Sequence, residues 1–217
     1  MLPTVMKSPR ACTLGLALLA AACTTPDPRH PESFNRGATS LRYEAPVSQG
    51  ESGRYFRVTG ASRAEAVAGI VERLTGAGFT DLRIDARAGR VSGTTSSPDV
   101  LDCGTFVVTT GNHRTRLAGT TADAALPRGA VGTGGLERRE FRSRSAFTVQ
   151  VTGIADAPGF AARVSERHKV KVVRTAIAQD EPPATVRTQF SGDEDGMVGG
   201  DETCRSSGSI RRVLIQP

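Results

Sequence analysis

Tryptophan is absent from the 217 residues, and aromatic residues make up only 5% of them. A core therefore has to be assembled mainly from Val, Leu, Ile, Ala and a few Phe. Long apolar runs are also missing. The longest, Ala11–Ala22, is about a dozen residues, where a membrane-spanning helix needs roughly 20. Only three histidines are present. The chain has no HExxH, CxxC or G-x-S-x-G pattern, so no metalloprotease, dithiol or nucleophile-elbow motif marks it as an enzyme. A Ser-His-Asp arrangement drawn from distant positions escapes such a scan, because it is defined by geometry.

The N-terminus carries the strongest signal. Lys7 and Arg10 precede an apolar stretch with Leu14, Leu16, Leu18 and Leu19, and small residues follow. That order of charge, apolar run and small side chains predicts a secretory signal peptide over residues 1–22, starting at Met1 or at the more compact Met6. The segment Leu19-Ala20-Ala21-Ala22-Cys23 resembles a bacterial lipobox. The resemblance implies that Cys23 is acylated, by palmitate or a similar chain, and becomes the new N-terminus. The plain alternative is an ordinary A-x-A cleavage that leaves Cys23 as a free thiol. One acyl chain holds a protein only marginally, whereas bacterial lipoproteins carry several, so a permanent membrane anchor is implied. Thr24, in a position where Asp would signal retention in the inner membrane, implies the periplasmic side of the outer membrane.

Of four cysteines, Cys12 leaves with the signal peptide and Cys23 is assigned to lipid. Cys103 and Cys204 remain, and an exported chain meets an oxidising compartment, so a disulfide between them is expected; the alternative is two buried thiols. The formal charge is +6, and loss of Lys7 and Arg10 leaves +4. Behind a signal peptide such a charge points to anionic envelope material (phospholipid headgroups, lipopolysaccharide, peptidoglycan) or to other envelope proteins, and not to nucleic acid.

Pro26, Pro28, Pro31 and Pro46 with Ser, Gly, Asn and Gln predict a lipidated N-terminus and flexible linker over 23–53. One domain is expected over 54–217. Within it, Arg54–Gly60 reads as a strand. Ser62-Arg63-Ala64-Glu65 is a capping box opening a helix with Val67, Ile70, Val71 and Leu74 on one face, stopped by Gly76 and Gly78. A hairpin follows over Phe79–Ala86 and Val91–Thr95. Residues 110–135 read as a long Gly-, Thr- and Ala-rich loop. Two long strands, Leu136–Gly153 and Phe160–Ile177, meet at Asp156–Gly159. A strand over Thr185–Phe190, an acidic loop over Asp193–Glu202 and a short closing helix with Ile210, Val213 and Leu214 complete the chain.

Cys23, the strand–helix–hairpin of Arg54–Thr95, Asp102-Cys103-Gly104 and Cys204-Arg205-Ser206-Ser207-Gly208 resemble the helix-grip domains of the C lipoprotein of the bacterial β-barrel assembly machinery. They are also similar to other uncharacterised proteobacterial lipoproteins. The resemblance implies an α+β fold: a single helix-grip-like domain ordered strand, helix, antiparallel strands and short C-terminal helix.

Three further patterns bear on chemistry. Gly129–Gly135 has the glycine spacing of a phosphate loop, but Gly135 and Leu136 stand where Lys and Ser/Thr are required. Asp193, Glu194, Asp195, Asp201 and Glu202 lack the alternate spacing of a calcium loop, so neither metal nor cofactor is expected. His168 shares strand parity with Val164, Val170 and Val172 and is expected in the core, hydrogen-bonded to a neighbouring strand.

Alternation in the two long strands singles out one surface. Phe141, Phe147, Val149 and Val151 share one parity, and Arg138, Arg142 and Arg144 the other. On the second strand Arg163, Arg167, Lys169 and Lys171 oppose the valines. Pairing the strands places these seven cations on one sheet face, the expected anionic contact; solvated charge on an exposed strand is the plain alternative. The functional expectation is a non-enzymatic, lipid-anchored envelope protein that binds or scaffolds at the outer membrane. The competing expectation is a carrier of a small ligand or lipid in a groove between helix and sheet.

Overall fold

A computed structural model describes residues 39–48, 53–128, 135–155, 157–177 and 180–215. The expected signal peptide, Cys23, His30, Asp156 and residues 129–134 lie outside the described residues. In chain order the elements are β1 (Thr39–Glu44), β2 (Tyr55–Val58), α1 (Arg63–Gly76), β3 (Arg83–Asp85), β4 (Arg90–Thr95), β5 (Leu101–Asp102), β6 (Thr105–Thr110), β7 (His113–Ala118) and β8 (Asp123–Pro127). Then follow β9 (Leu136–Gly153), β10 (Phe160–Ile177), β11 (Ala184–Ser191), β12 (Gly196–Gly199), β13 (Glu202–Ser206) and α2 (Ser209–Ile215).

The long hairpin β9–β10 organises the molecule. It pairs antiparallel over its whole length, from Phe160 opposite Gly153 to Ile177 opposite Leu136. Both bounds agree with the sequence expectation, because each strand alternates over most of its length, from Arg139 to Val151 and from Ala162 to Val172. The hairpin is the centre of a seven-stranded sheet ordered β11-β10-β9-β4-β3, to which β2 adds beside β10 and β8 beside β9. Two three-stranded sheets accompany it, β1-β6-β7 and β12-β13-β5.

The inner face of the large sheet is covered by two different things. Over one part lies α1, whose Ala66, Val67, Ile70 and Leu74 are buried with Val91, Val149, Val151 and Val164. The capping box forms as the sequence dictates: Ser62 Oγ accepts from the Glu65 amide at 3.2 Å. The Glu65 carboxylate reaches back one residue further than the motif requires, accepting from the Ala61 amide at 2.8 Å. Gly78, at φ +87°, turns the chain out of the helix, and Phe79 N–H closes onto the Leu74 carbonyl at 3.0 Å. Another part belongs to a second core, where Phe106, Val108, Ala124 and Leu126 pack together with Leu41, Tyr43 and Leu117 around them.

The helix-grip α+β expectation is corrected by this architecture. The described chain is mostly β, in three sheets, with α1 and a two-turn α2 as its only α-helices among the described residues. The difference arises where the sequence reads as loop. The 110–135 stretch contains β7 and β8, and the acidic 193–202 stretch contains β12. β1 likewise falls inside the expected 23–53 linker, so the folded unit begins before Arg54. β6 and β8 carry no alternation to read. Phe106, Val107 and Val108 of β6 are all buried, as are Ala124 to Leu126 of β8. A strand enclosed on both faces carries no period-two signal.

The expected disulfide between Cys103 and Cys204 is present, with Cα atoms 4.0 Å apart. Cys204 lies in β13, not at the start of the closing helix, and Cys103 follows β5. The bond therefore sews the central strand of the β12-β13-β5 sheet to the turn between β5 and β6. Tyr43 fastens β1 to the same point: its hydroxyl donates to the Thr203 carbonyl at 2.8 Å and accepts from the Thr203 amide at 3.0 Å.

Candidate anion-binding surface

The register of the long hairpin decides which cations become neighbours. Lys171 stands opposite Arg142 on β9 and opposite Arg187 on β11. Two residues along, Lys169 stands opposite Arg144 on β9 and Gln189 on β11. Neighbouring strands are about 4.8 Å apart and alternate residues about 6.8 Å. The result is a two-by-three array holding five cations and one amide within roughly 10 by 7 Å of sheet face. All six side chains point away from the core, whose side is taken by Phe141, Ser145, His168, Val170 and Val172. The array rims an open depression of about 480 Å³.

Like charges placed directly across a ladder destabilise it unless something compensates. Among the described residues, Arg144, Lys169, Lys171 and Arg187 have no ion-pair partner, and Arg142 has only Glu140, at 3.6 Å. The remaining expected cations differ in kind. Arg138 is neutralised by a two-pronged contact with Asp123, at 3.0 and 2.6 Å, which also holds its guanidinium above its ordinary pKa. Arg163 sits 6.0 Å from the centroid of the Tyr55 ring, toward the other end of β10. Arg167 is exposed beside a second depression of about 420 Å³ that also includes Arg163, Ser165 and Asp193. Arg142, Arg144, Lys169 and Lys171 are thus brought together, while Arg138, Arg163 and Arg167 flank them. Arg187 was missed by sequence reasoning. Its parity opposite to Phe190 was legible, but only the β10–β11 register places it beside Lys171.

Two buried polar clusters lie behind this face; the core position of His168 was legible in the sequence, the rest of both clusters was not. His168 is fully buried, and its Nδ1 lies 2.8 Å from Ser145 Oγ on β9, the neighbouring strand on which a partner was expected. Glu166, two residues away on the same face, places Oε2 3.2 Å from His168 Nε2, and the Ser206 hydroxyl donates to that oxygen at 2.5 Å. Serine, histidine and carboxylate do come together here, but Ser145 is 1% exposed and His168 0%, so no substrate reaches the hydroxyl. The cluster ties β9, β10 and β13 together and gives Ser145, Glu166 and Ser206 partners in the core, while His168 Nε2 lies beside Glu166 without a well-formed hydrogen bond.

The second cluster is cationic. Arg139 is 1% exposed, facing inward between the Phe106 and Phe141 rings at 4.9 and 5.4 Å. Its carboxylate partner is Glu202 at 3.3 Å, which also pairs with Arg174, while Arg174 reaches Glu137 at 3.5 Å. Burial, reinforced by the neighbouring Arg174 charge, pulls the Arg139 pKa down to about 10, so it stays charged at neutral pH. Glu202 is therefore an internal counter-ion. The other acidic residues weighed for calcium are also engaged in part: Asp195 pairs with Arg205 at 2.6 Å, and the Glu194 carboxylate accepts from the Ser191 amide at 3.1 Å. No protein family, curated protein or solved structure was found to match this chain.

Proposed function

We propose that the protein is a non-enzymatic, lipid-anchored envelope protein, held by Cys23 on the periplasmic face of the outer membrane, that docks on anionic envelope material through the outer face of β9–β11. The observation that carries this reading is the concentration of Arg142, Arg144, Lys169, Lys171 and Arg187 on three adjacent strands with one distant carboxylate among them. Elsewhere in this protein cations have internal counter-charge, the buried Arg139 at Glu202 and the exposed Arg42, Arg116 and Arg138 at Glu44 and Asp123, whereas on this face it is sparse. An external anion would supply it. The seam between α1 and the sheet is filled by Val67, Ile70 and Leu74, which supports a docking face over a carrier groove.

The test is sedimentation of the mature chain, made soluble by Cys23→Ala, with anionic and zwitterionic vesicles, lipopolysaccharide and peptidoglycan. Binding to an anionic target should weaken when Arg167, Lys169 and Lys171 are changed to Glu. It should also weaken as salt rises, since exposed charges are screened within about 8–10 Å at physiological ionic strength. Binding indifferent to both salt and charge reversal removes this face as the functional one.

A further inference from the structure

The array has a composition and spacing that discriminate among anions. A carboxylate carries one charge and is satisfied by a single guanidinium fork. Five such groups would have to crowd into roughly 10 by 7 Å to neutralise the array. A phosphomonoester carries about −1.5 to −2 and offers three acceptor oxygens, so two or three of them match the five cations. A phosphodiester, with one charge and two free oxygens, again falls short of this density. Arg142, Arg144 and Arg187 provide forks suited to paired phosphate oxygens, and Lys169 and Lys171 between them supply compact charge. Gln189, in the sixth position, adds an amide able to donate to and accept from a hydroxyl. The depression is open to solvent and shallow against a flat sheet, so it suits a headgroup presented at a surface better than an enclosed small molecule.

Resting on the docking function proposed above, we infer that the array is a clamp for a membrane lipid whose saccharide or other polar headgroup bears phosphomonoesters. The acyl anchor expected at Cys23 makes a lipid surface the nearest source of such groups. Cys23 lies sixteen residues before Thr39, so a lipid surface at Cys23 stays within about 58 Å of β1 even at full chain extension. Tethering turns docking on that surface into an intramolecular event at high effective concentration, so modest contacts suffice. The ligating groups are Arg142, Lys171 and Arg187 across one row of the ladder and Arg144 and Lys169 across the next, all lining the depression.

The experiment compares the Cys23→Ala mature chain with two double variants that lose equal charge. Lys171→Gln with Arg187→Gln empties part of the array. Arg57→Gln with Arg90→Gln removes two exposed cations elsewhere on the molecule. Each is titrated with vesicles containing a phosphomonoester lipid and with phosphatidylglycerol vesicles matched in surface charge. The parent should prefer the phosphomonoester vesicles. The array variant should lose about thirtyfold in affinity for them, the scale set by removing two surface-proximal cations, and the control variant less than about threefold. Equal losses in both variants, or no preference between the two lipids, overturns the clamp while leaving anionic docking intact. Failure to bind any anionic vesicle or envelope polymer removes both. Calorimetry with inorganic phosphate separates the sources: array-dependent binding of free phosphate without a vesicle preference assigns the site to a soluble anion and overturns the lipid proposal.

Discussion

Arg139 enters the interior with its charge intact, and Glu202 is what makes that tolerable. Removing one partner of a buried ion pair leaves the other without compensation, at a cost of about 3–5 kcal/mol. Glu202→Gln should therefore destabilise the fold by about 3 kcal/mol in urea titration, with Arg139 and Arg174 left facing each other. A change within the usual half kilocalorie of a surface substitution would show that Phe106 and Phe141 alone accommodate the guanidinium. Asp102 makes a separate contribution, at the junction of β5 with the segment after β1. Burial acts to raise its pKa, but hydrogen bonds from the Ser48 hydroxyl and from the Ser48, Gly104 and Val47 amides outweigh it, and the carboxyl lies below its ordinary 3.8. A depressed pKa contributes stability that is present above the unfolded value and lost as pH falls through the folded one. Asp102→Asn should accordingly be less stable than the parent at neutral pH, and the gap should narrow below pH 3.8. A gap of constant size down to about pH 2 would disconnect Asp102 from the acid response. Gly104 beside it has φ +71°, and an added Cβ would lie 2.2 Å from the Glu44 carbonyl oxygen, so this turn admits no side chain without moving β1.

At the scale of elements, long and short strands behaved differently as sequence. β9 and β10 alternate through their middle, so their inner residues and basic outer residues were legible in the sequence. Glu166 and Arg139 were the exceptions, since polar residues at inward parity are recognisable only when the groups that partner them are known. β6, β8 and β12 were not legible. Their apolar residues are buried on both sides, or their glycines lie against other elements, as Gly196 does against the Phe190 ring. The Cys103–Cys204 bond compensates for the small size of the β12-β13-β5 sheet by joining positions 101 residues apart. In the chain-entropy account a loop of that length is worth up to about 4.7 kcal/mol. Cys103→Ser with Cys204→Ser should thus lower unfolding free energy by about 3 kcal/mol or more, and amide exchange should accelerate first in β5 and β13. Unchanged protection there would place the stabilising effect of the bond elsewhere.

For the whole molecule, the large sheet separates two environments. Its inner face meets α1 and the smaller sheets, and its outer face along β9–β11 meets solvent with a surplus of positive charge. Among the described residues no helix is long and apolar enough to cross a membrane. The proposed attachment through Cys23 has a direct test. In envelope fractions the parent should carry an acylated N-terminal cysteine by mass spectrometry, and Cys23→Ala should move to the soluble periplasmic fraction. Retention of the variant in the membrane at the parent's mobility would refute lipidation as the anchor.

By itself the sequence determined the elements whose reasons are local. The α1 capping box needs only Ser62 and Glu65 three residues apart, and the β9–β10 hairpin needs only period-two alternation. The pairing of Cys103 with Cys204 followed from counting. Tertiary structure alone decided the rest. Whether Thr39–Glu44, 113–118 and 123–127 are strands depends on which distant backbone groups they meet, since a short strand gains its hydrogen bonds from neighbours rather than from itself. Whether Arg187 belongs to the basic surface depends on a register, and a one-residue slip would turn it inward. Whether Arg139 and Glu166 are tolerated inside depends on Glu202, His168 and Ser206, which lie on other strands or further along the same one.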